Sequence, residues 1–350
     1  MRQGSVTLPV VDLHSDVMVD VYARRRMGER RVLVDRHLPR WRQGGVNVIV
    51  LTVGGDTPSF ATQGADCALE STVVLLGELH REVEESGGEL FLARSADEVP
   101  GAIDAGKTVL VPALEGCSAL GEAEPVAVAA ALSEAGVVSF GLTWNGSNQF
   151  ACGAALREDG GLTALGRELL GLLEDRGVIL DLAHASLRTF WDAFEATRGP
   201  LIVSHTASRR LRDHPRNIDD DQVRAVAGRG GLIGVCFYPA FLVDGGKARA
   251  EDVVRHVLHF LEVAGPEHVG IGADFIDYAE DIIGRSLRSC TSVDYGSVLT
   301  YPSGLEDVTR FGHLAELLRR EGCSEDVVAA VMGGNFLRVW RTVGRERKAI

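Results

Sequence analysis

Residues 163–205 read TALGRELLGLLEDRGVILDLAHASLRTFWDAFEATRGPLIVSH, and the fold follows from the pattern they hold. Over residues 163–175 apolar side chains recur at three- and four-residue steps, the period of an amphipathic helix. Residues 178–182 are then a short apolar run, residues 187–196 return to helical period, and residues 201–204 are a second apolar run. Ser186 stands where the second helix begins, and its hydroxyl can accept an unpaired first-turn amide. Strands apolar on both faces and joined by a helix are the unit of a parallel sheet covered by helices. A histidine closes each run, His184 after the first and His205 after the second.

The alternation continues in both directions. Apolar runs at residues 9–13, 46–53, 108–113, 137–142, 232–235 and 269–272 bring the expected strands to eight. Between them lie candidate helices at 67–85, 125–135, 219–227 and 251–263, with Asp219 as a further N-cap. Eight such units predict an α/β fold closed into a TIM (β/α)8 barrel, with residues 1–350 as a single domain. An open doubly wound sheet is the rival, but the G-x-G-x-x-G turn of its dinucleotide-binding version is missing after the first strand. No low-complexity tract, internal repeat or Pro/Ser-rich linker divides the chain. Periodicity fades over residues 275–304, which predicts a long loop over the barrel mouth. Helical pattern resumes over residues 305–343, with Gly333-Gly334 as punctuation between two helices.

Composition agrees with a globular protein. Hydrophobic residues make up 45% and charged residues 24%, and the net charge is 36 − 49 = −13. This excess of acid argues against nucleic acid or an anionic membrane as partner. Six cysteines without C-x-x-C spacing read as reduced thiols. No run has the length of a signal peptide or a membrane helix, so a cytoplasmic location is expected. The basic cluster Arg24, Arg25, Arg26, Arg30 and Arg31 reads as a solvated face.

Ionisable residues fall where the strands hand over to their loops, which on a barrel is the catalytic rim. His14 and Asp16 end the first expected strand, Glu115 the third, His184 the fifth, His205 the sixth and Asp274 the eighth. Residues two apart on a strand point to the same side, so the H-x-D of His14 and Asp16 can reach one cation. Taken singly, each histidine reads as a hydrogen-bonded core residue; aligned over five strands, the set reads as a metal site. The remaining histidines, His37, His80, His214, His256, His259, His268 and His313, lack this placement and read as surface or packing residues.

Nitrogen and carboxylate ligands without thiolate favour Zn²⁺, with Mn²⁺, Fe²⁺ and Co²⁺ as alternatives. Five candidate ligands exceed the need of one tetrahedral zinc. They suit two Zn²⁺ bridged by Glu115, an arrangement that activates a shared water and implies hydrolysis. Asp274 is then a proton-transfer residue or an acceptor that orients a ligand histidine. Arg216, in HPRNIDDD, is a fork for a substrate carboxylate or the partner of Asp219, Asp220 or Asp221 in a surface salt bridge. Two readings from other classes are a facial-triad Fe(II) oxygenase on His14, Asp16 and one further histidine, and a non-catalytic binding barrel. The first leaves Glu115 and a histidine idle, and the second wastes a complete ligand set.

The segments VVDLHSD, ALEG, GLTWN, ILDLAHAS, PLIVSHTASR, HPRNIDDD, HVGIGADF, YPSGLEDV and GGNFLRV run in this order over nearly the whole chain. In them the chain resembles the membrane (renal) dipeptidase family, binuclear zinc hydrolases on a TIM barrel. The resemblance implies that His14 and Asp16 bind one metal, that His184 and His205 bind the other, and that Glu115 bridges them. It further implies that Asp274 manages protons, that Arg216 holds the substrate's terminal carboxylate, and that Tyr238 lines the same pocket. The implied substrate is a small dipeptide, often with a D-residue on its C-terminal side; a related amidohydrolase acting on an N-acyl amino acid, lactam or lactone is the alternative. A homodimer is compatible with it. Two departures stand out. Trp144 replaces the histidine of the family's L-T-H-N segment and bears on pocket shape and substrate binding, and the family's D-F-D-G becomes Asp274-Phe275-Ile276-Asp277, which bears on loop geometry.

Overall fold

The computed structural model describes residues 8–57, 60–63, 65–279 and 300–345. Of the loop expected over the mouth, residues 280–299 lie outside the described residues, as does Cys290. The strands are β1 (Val11–Ser15), β2 (Val48–Gly55), β3 (Leu90–Leu92), β4 (Thr108–Glu115), β5 (Ser139–Gly141), β6 (Ile179–Asp181), β7 (Leu201–Thr206), β8 (Leu232–Val235) and β9 (Val269–Ile271). Eight of them follow the order β1-β2-β4-β5-β6-β7-β8-β9, every pair parallel, and form a nearly closed barrel. All eight expected strands are present, and the barrel is the TIM type. Among the described residues no backbone pairing joins β9 to β1; a side chain spans this seam, where the Ala273 amide donates to the Asp12 carboxylate at 2.9 Å.

The sequence reading did not expect β3, whose run LFL is too short to announce a strand. It pairs with Thr108–Leu110 of β4, leaving Ala113–Glu115 to pair with β5. Helix Val17–Arg26 was also missed, because its apolar head and arginine tail hide the helical period. The expected helices lie at Ala68–Glu85, Pro125–Glu134, Ala164–Asp175, Leu187–Ala196, Asp220–Gly228 and Ala250–Ala264. Ser186 and Asp219 cap as expected, accepting the amides of Thr189 and Gln222.

Period-two alternation sorts the strand residues into two layers. Val11, Leu13, Val48, Val50, Val109 and Val111 join the lumen cluster. Ile49, Leu51, Leu110, Leu114, Phe140 and Val203 face outward under the helices. Phe336, Leu337 and Trp340 of the last helix, Asn335–Arg345, pack into the lumen cluster. Gly333 makes this approach possible, since a Cβ there would lie 2.4 Å from the Pro9 carbonyl oxygen. The end of the barrel where the strands finish is thereby left to the ionisable residues.

The basic cluster is only partly a solvated face. Arg30 is 69% exposed, but the Arg25 side chain is 8% exposed and ion-paired with Glu78 at 2.7 Å, Glu82 at 2.5 Å and Glu85 at 3.2 Å. Glu82 is fully buried and also accepts the Leu33 amide at 2.8 Å. A charge run shows no partner in sequence, because these carboxylates arrive from a helix more than fifty residues away.

Candidate metal centre and active site

The strands deliver the site residues to one end of the barrel. His14 lies in β1, where the register with β2 slips between Asp12 and Ser15, and Asp16 lies just beyond the strand. Glu115 is the last residue of β4, opposite Gly55; a Cβ at Gly55 would fall 2.0 Å from the Glu115 carbonyl oxygen. His205 lies within β7, while His184 and Asp274 follow β6 and β9. These last two have left-handed backbones, with φ of 65° and 59°, and among the described non-glycine residues only Arg31 shares that region. Such conformations cost on the order of 1–3 kcal/mol each and persist where surrounding structure over-determines them.

Glu115 Oε1 is the centre of the arrangement. It lies 3.3 Å from His14 Nε2, 3.0 Å from His184 Nε2 and 3.5 Å from His205 Nε2. His14 Nε2 is in turn 3.4 Å from Asp16 and 3.6 Å from Asp274, and the Nε2 atoms of His184 and His205 face each other at 2.9 Å. Three ligand triads fit within this cluster: Glu115, His184 and His205; His14, Asp16 and Glu115; and His14, His205 and Asp274.

The donor set fits cations. His14 Nε2 is buried with no hydrogen-bond partner among the described residues. His184 Nδ1 meets Asn145 Oδ1 at 3.0 Å and His205 Nδ1 meets Ser204 Oγ at 2.8 Å. With Nδ1–H donating outward, each Nε2 turns its lone pair to the centre, as a metal ligand must. Burial, reinforced by positive neighbours including His14 and Arg216, holds both histidines well below the usual imidazole range and thus neutral. Burial and then Asp16 push Glu115 up, and burial pushes Asp274 up to about 7. Burial works against protonation of His14, yet Glu115 and Asp16 outweigh it and carry His14 up to about 10. Three crowded carboxylates thus gather whatever positive charge is available, a demand that bound cations meet directly.

Around this centre, Thr52 Oγ1 donates to Asp16 at 2.5 Å. Asp56 accepts the Ser118 and Trp144 amides and the Asn148 side chain, tying together the loops after β2, β4 and β5. Trp144 is buried, its ring 6.1 Å from that of His184. Tyr238 packs between Phe241 and Tyr301. The Tyr301 hydroxyl donates to the Asp274 carbonyl at 2.7 Å and accepts the Ile276 amide at 2.8 Å, which fixes the altered turn after Asp274. Asp277 pairs with Arg40 at 2.5 Å.

Arg216 is buried, 3% exposed. The surface salt bridge considered for it is not made: Asp219 caps its helix, Asp220 bonds His259 and Asp221 pairs with Arg224. Arg216 instead turns inward, with Nη2 3.5 Å from the His205 carbonyl, the guanidinium 5.5 Å over the Phe241 ring, and Nε without a partner among the described residues. It and His184 line a cavity of about 180 Å³, with Arg209, Leu156 and Leu187 among its other walls.

Sequence reasoning missed Asn145, Ser204, Asp56, Tyr301, Asp12 and Asp181. The last two had a signal, D-L-H at residues 12–14 and D-L-A-H at 181–184, in which an aspartate twice precedes a site histidine.

A parallel barrel with imidazoles and carboxylates gathered at the strand ends is an arrangement suited to metal-dependent hydrolysis. The chain belongs to the membrane dipeptidase family (Peptidase family M19), whose family model matches residues 2–350. An uncharacterized dipeptidase of Schizosaccharomyces pombe is 29% identical over 95% of this chain and 80% of its own length. Among solved structures, an amidohydrolase from Pseudomonas aeruginosa superposes with a TM-score of 0.82 at 24% identity, covering 97% of this chain and 98% of its own. A metallo peptidase from Rhodobacter sphaeroides, solved with a phosphinate mimic of the dipeptide L-Ala-D-Ala, superposes at 0.80 with 21% identity, covering 96% of this chain and 99% of its own. These two likenesses show the fold. No described helix is long and apolar enough to cross a membrane.

Proposed function

We propose that this metallo-dipeptidase uses two Zn²⁺ and cleaves small dipeptides, including those with a C-terminal D-residue. Glu115 would be shared by the two ions, with His14 and Asp16 holding one and His184 and His205 the other. One observation carries the reading: a single carboxylate oxygen of Glu115 lies within 3.5 Å of imidazole nitrogens on or just after three different strands. When bound, the zinc pair supplies Lewis acidity and a water ionisable at neutral pH. The chain's own residues bind, orient and move protons. Arg216 offers its N–H fork to the substrate's terminal carboxylate, and Trp144 and Tyr238, which do not line the cavity beside Arg216, would contact the remainder of the substrate. Asp274 takes a proton on its carboxylate and returns it to the leaving amine. The L-Ala-D-Ala mimic held by the Rhodobacter protein supports the substrate class. A single domain over residues 1–350, a cytoplasmic location and a homodimer belong to the same proposal.

The test reconstitutes metal-free protein with zinc, counts the ions and offers L,L- and L,D-dipeptides beside N-acyl amino acids, lactams and lactones. Two zinc ions per chain and dipeptide turnover are expected, and Glu115→Ala should lose both. Preference for the acylated amino acids, lactams or lactones would favour the alternative chemistry.

A further inference from the structure

Two buried aspartates outside the proposed chemistry repeat one arrangement. Asp181, the last residue of β6, accepts the amides of Ala183 and Ser204, both at 2.9 Å and both on Oδ1. Asp12, in β1, accepts the amide of Ala273 at 2.9 Å and that of His14 at 3.4 Å, again both on Oδ1. Their exposures are 8% and 3%. Ala183 and Ala273 immediately precede His184 and Asp274, the two site residues with left-handed backbones. The second amide in each case lies beside or on a site histidine: that of Ser204, which precedes His205, and that of His14 itself.

The sheet explains why these positions call for a side-chain acceptor. β6 pairs with β7 only as far as Asp181 and Ile202. Beyond that point the left-handed turn at His184 carries the chain away, and the Asp181 oxygen takes the Ser204 amide in place of a strand carbonyl. At the seam no ladder joins β9 to β1, and Asp12 takes the Ala273 amide in the same way. Buried amides seek an acceptor, and here the acceptor also dictates where the next residue points.

We propose that Asp12 and Asp181 are positioning residues, each a two-amide clamp that sets the metal-holding geometry of one half of the site. Asp181 serves the half built on His184 and His205, and Asp12 the half built on His14. The inference rests on the two-ion reading above.

Because one oxygen receives both amides, asparagine keeps the acceptor and alanine removes it. Zinc affinity is measured for Asp12→Ala, Asp12→Asn, Asp181→Ala and Asp181→Asn across a series of zinc buffers, with cobalt(II) absorption as a second probe of geometry. Each alanine variant is expected to keep one ion tightly and bind the other about 10–100-fold more weakly. Each asparagine variant is expected to hold both within about threefold of the unsubstituted protein, well inside that range. Adding His205→Ala to Asp181→Ala should cost no further tight ion, whereas adding His14→Ala should remove it. Should an alanine variant fail to fold, Asp→Ser, whose hydroxyl is too short to span both amides, takes its place with the same expectation. The inference is overturned if asparagine is as damaging as alanine, if either substitution weakens both ions alike, or if the alanine variants bind zinc normally. Fewer than two zinc ions on the unsubstituted protein would overturn the two-ion reading instead.

Discussion

Arg216→Met separates binding from stability. Arg216 is 3% exposed, and no carboxylate of a described residue lies within 4.0 Å of its guanidinium, so among the described residues this interior cation has no ion-pair partner. If the terminal carboxylate of the substrate is that partner, it gains two charge-assisted hydrogen bonds worth about 1.5–3 kcal/mol each, or about 3–6 kcal/mol together. At roughly 1.4 kcal/mol per decade, methionine should lower kcat/KM on free-acid dipeptides by about two to four orders of magnitude. The same change keeps an apolar stem and removes a buried charge, which should raise unfolding stability by about 1–2 kcal/mol, at the lower end of what such replacements give. The assay compares dipeptides with their C-terminal amides and follows urea unfolding in parallel. The amides, lacking the carboxylate, should respond little to the substitution. Equal losses on acid and amide, or a kcat/KM within threefold of the unsubstituted protein on the acids, would refute the reasoning.

Removal of metal should lower the melting temperature, because ions bound only by the folded chain at about a thousand times their Kd contribute about 4 kcal/mol; calorimetry before and after chelation checks this. Buried His256 accepts the Ser208 amide and donates to the Leu242 carbonyl, each at 3.0 Å, and burial pushes it down to about 4 from an ordinary 6.5. A depressed folded value makes its contribution complete above pH 6.5 and lost as pH falls toward 4. At most about 3 kcal/mol of acid sensitivity should therefore flatten in His256→Met, as read by denaturant titrations at several pH values. Arg25→Met should destabilise by about 3–5 kcal/mol by leaving the fully buried Glu82 uncompensated, and Glu82→Leu added to it should recover part of that in urea unfolding.

The strands were legible because a buried parallel strand must be apolar on both faces, so its run stands out against amphipathic helices. The metal-site candidates were legible because a barrel places the ends of its strands at one rim, so polar residues there must share it. The partners of Arg25 and Arg216 were not legible. Spacing put aspartates beside Arg216 in the chain, yet those aspartates serve a helix cap, a histidine and another arginine. Asp12 and Asp181 were marked only by the aspartate that twice precedes a site histidine, and their role stayed hidden because their partners are backbone amides, which every residue except proline carries.

The ring of strands is a belt with a buckle. Backbone ladders fasten each other join, while the join between first and last strands depends on the carboxylate of Asp12. A slight parting there would draw His14 and Asp274 away from each other yet leave Glu115, His184 and His205 on uninterrupted webbing, so the Ala273 amide is the place to watch by hydrogen exchange for opening that precedes global unfolding.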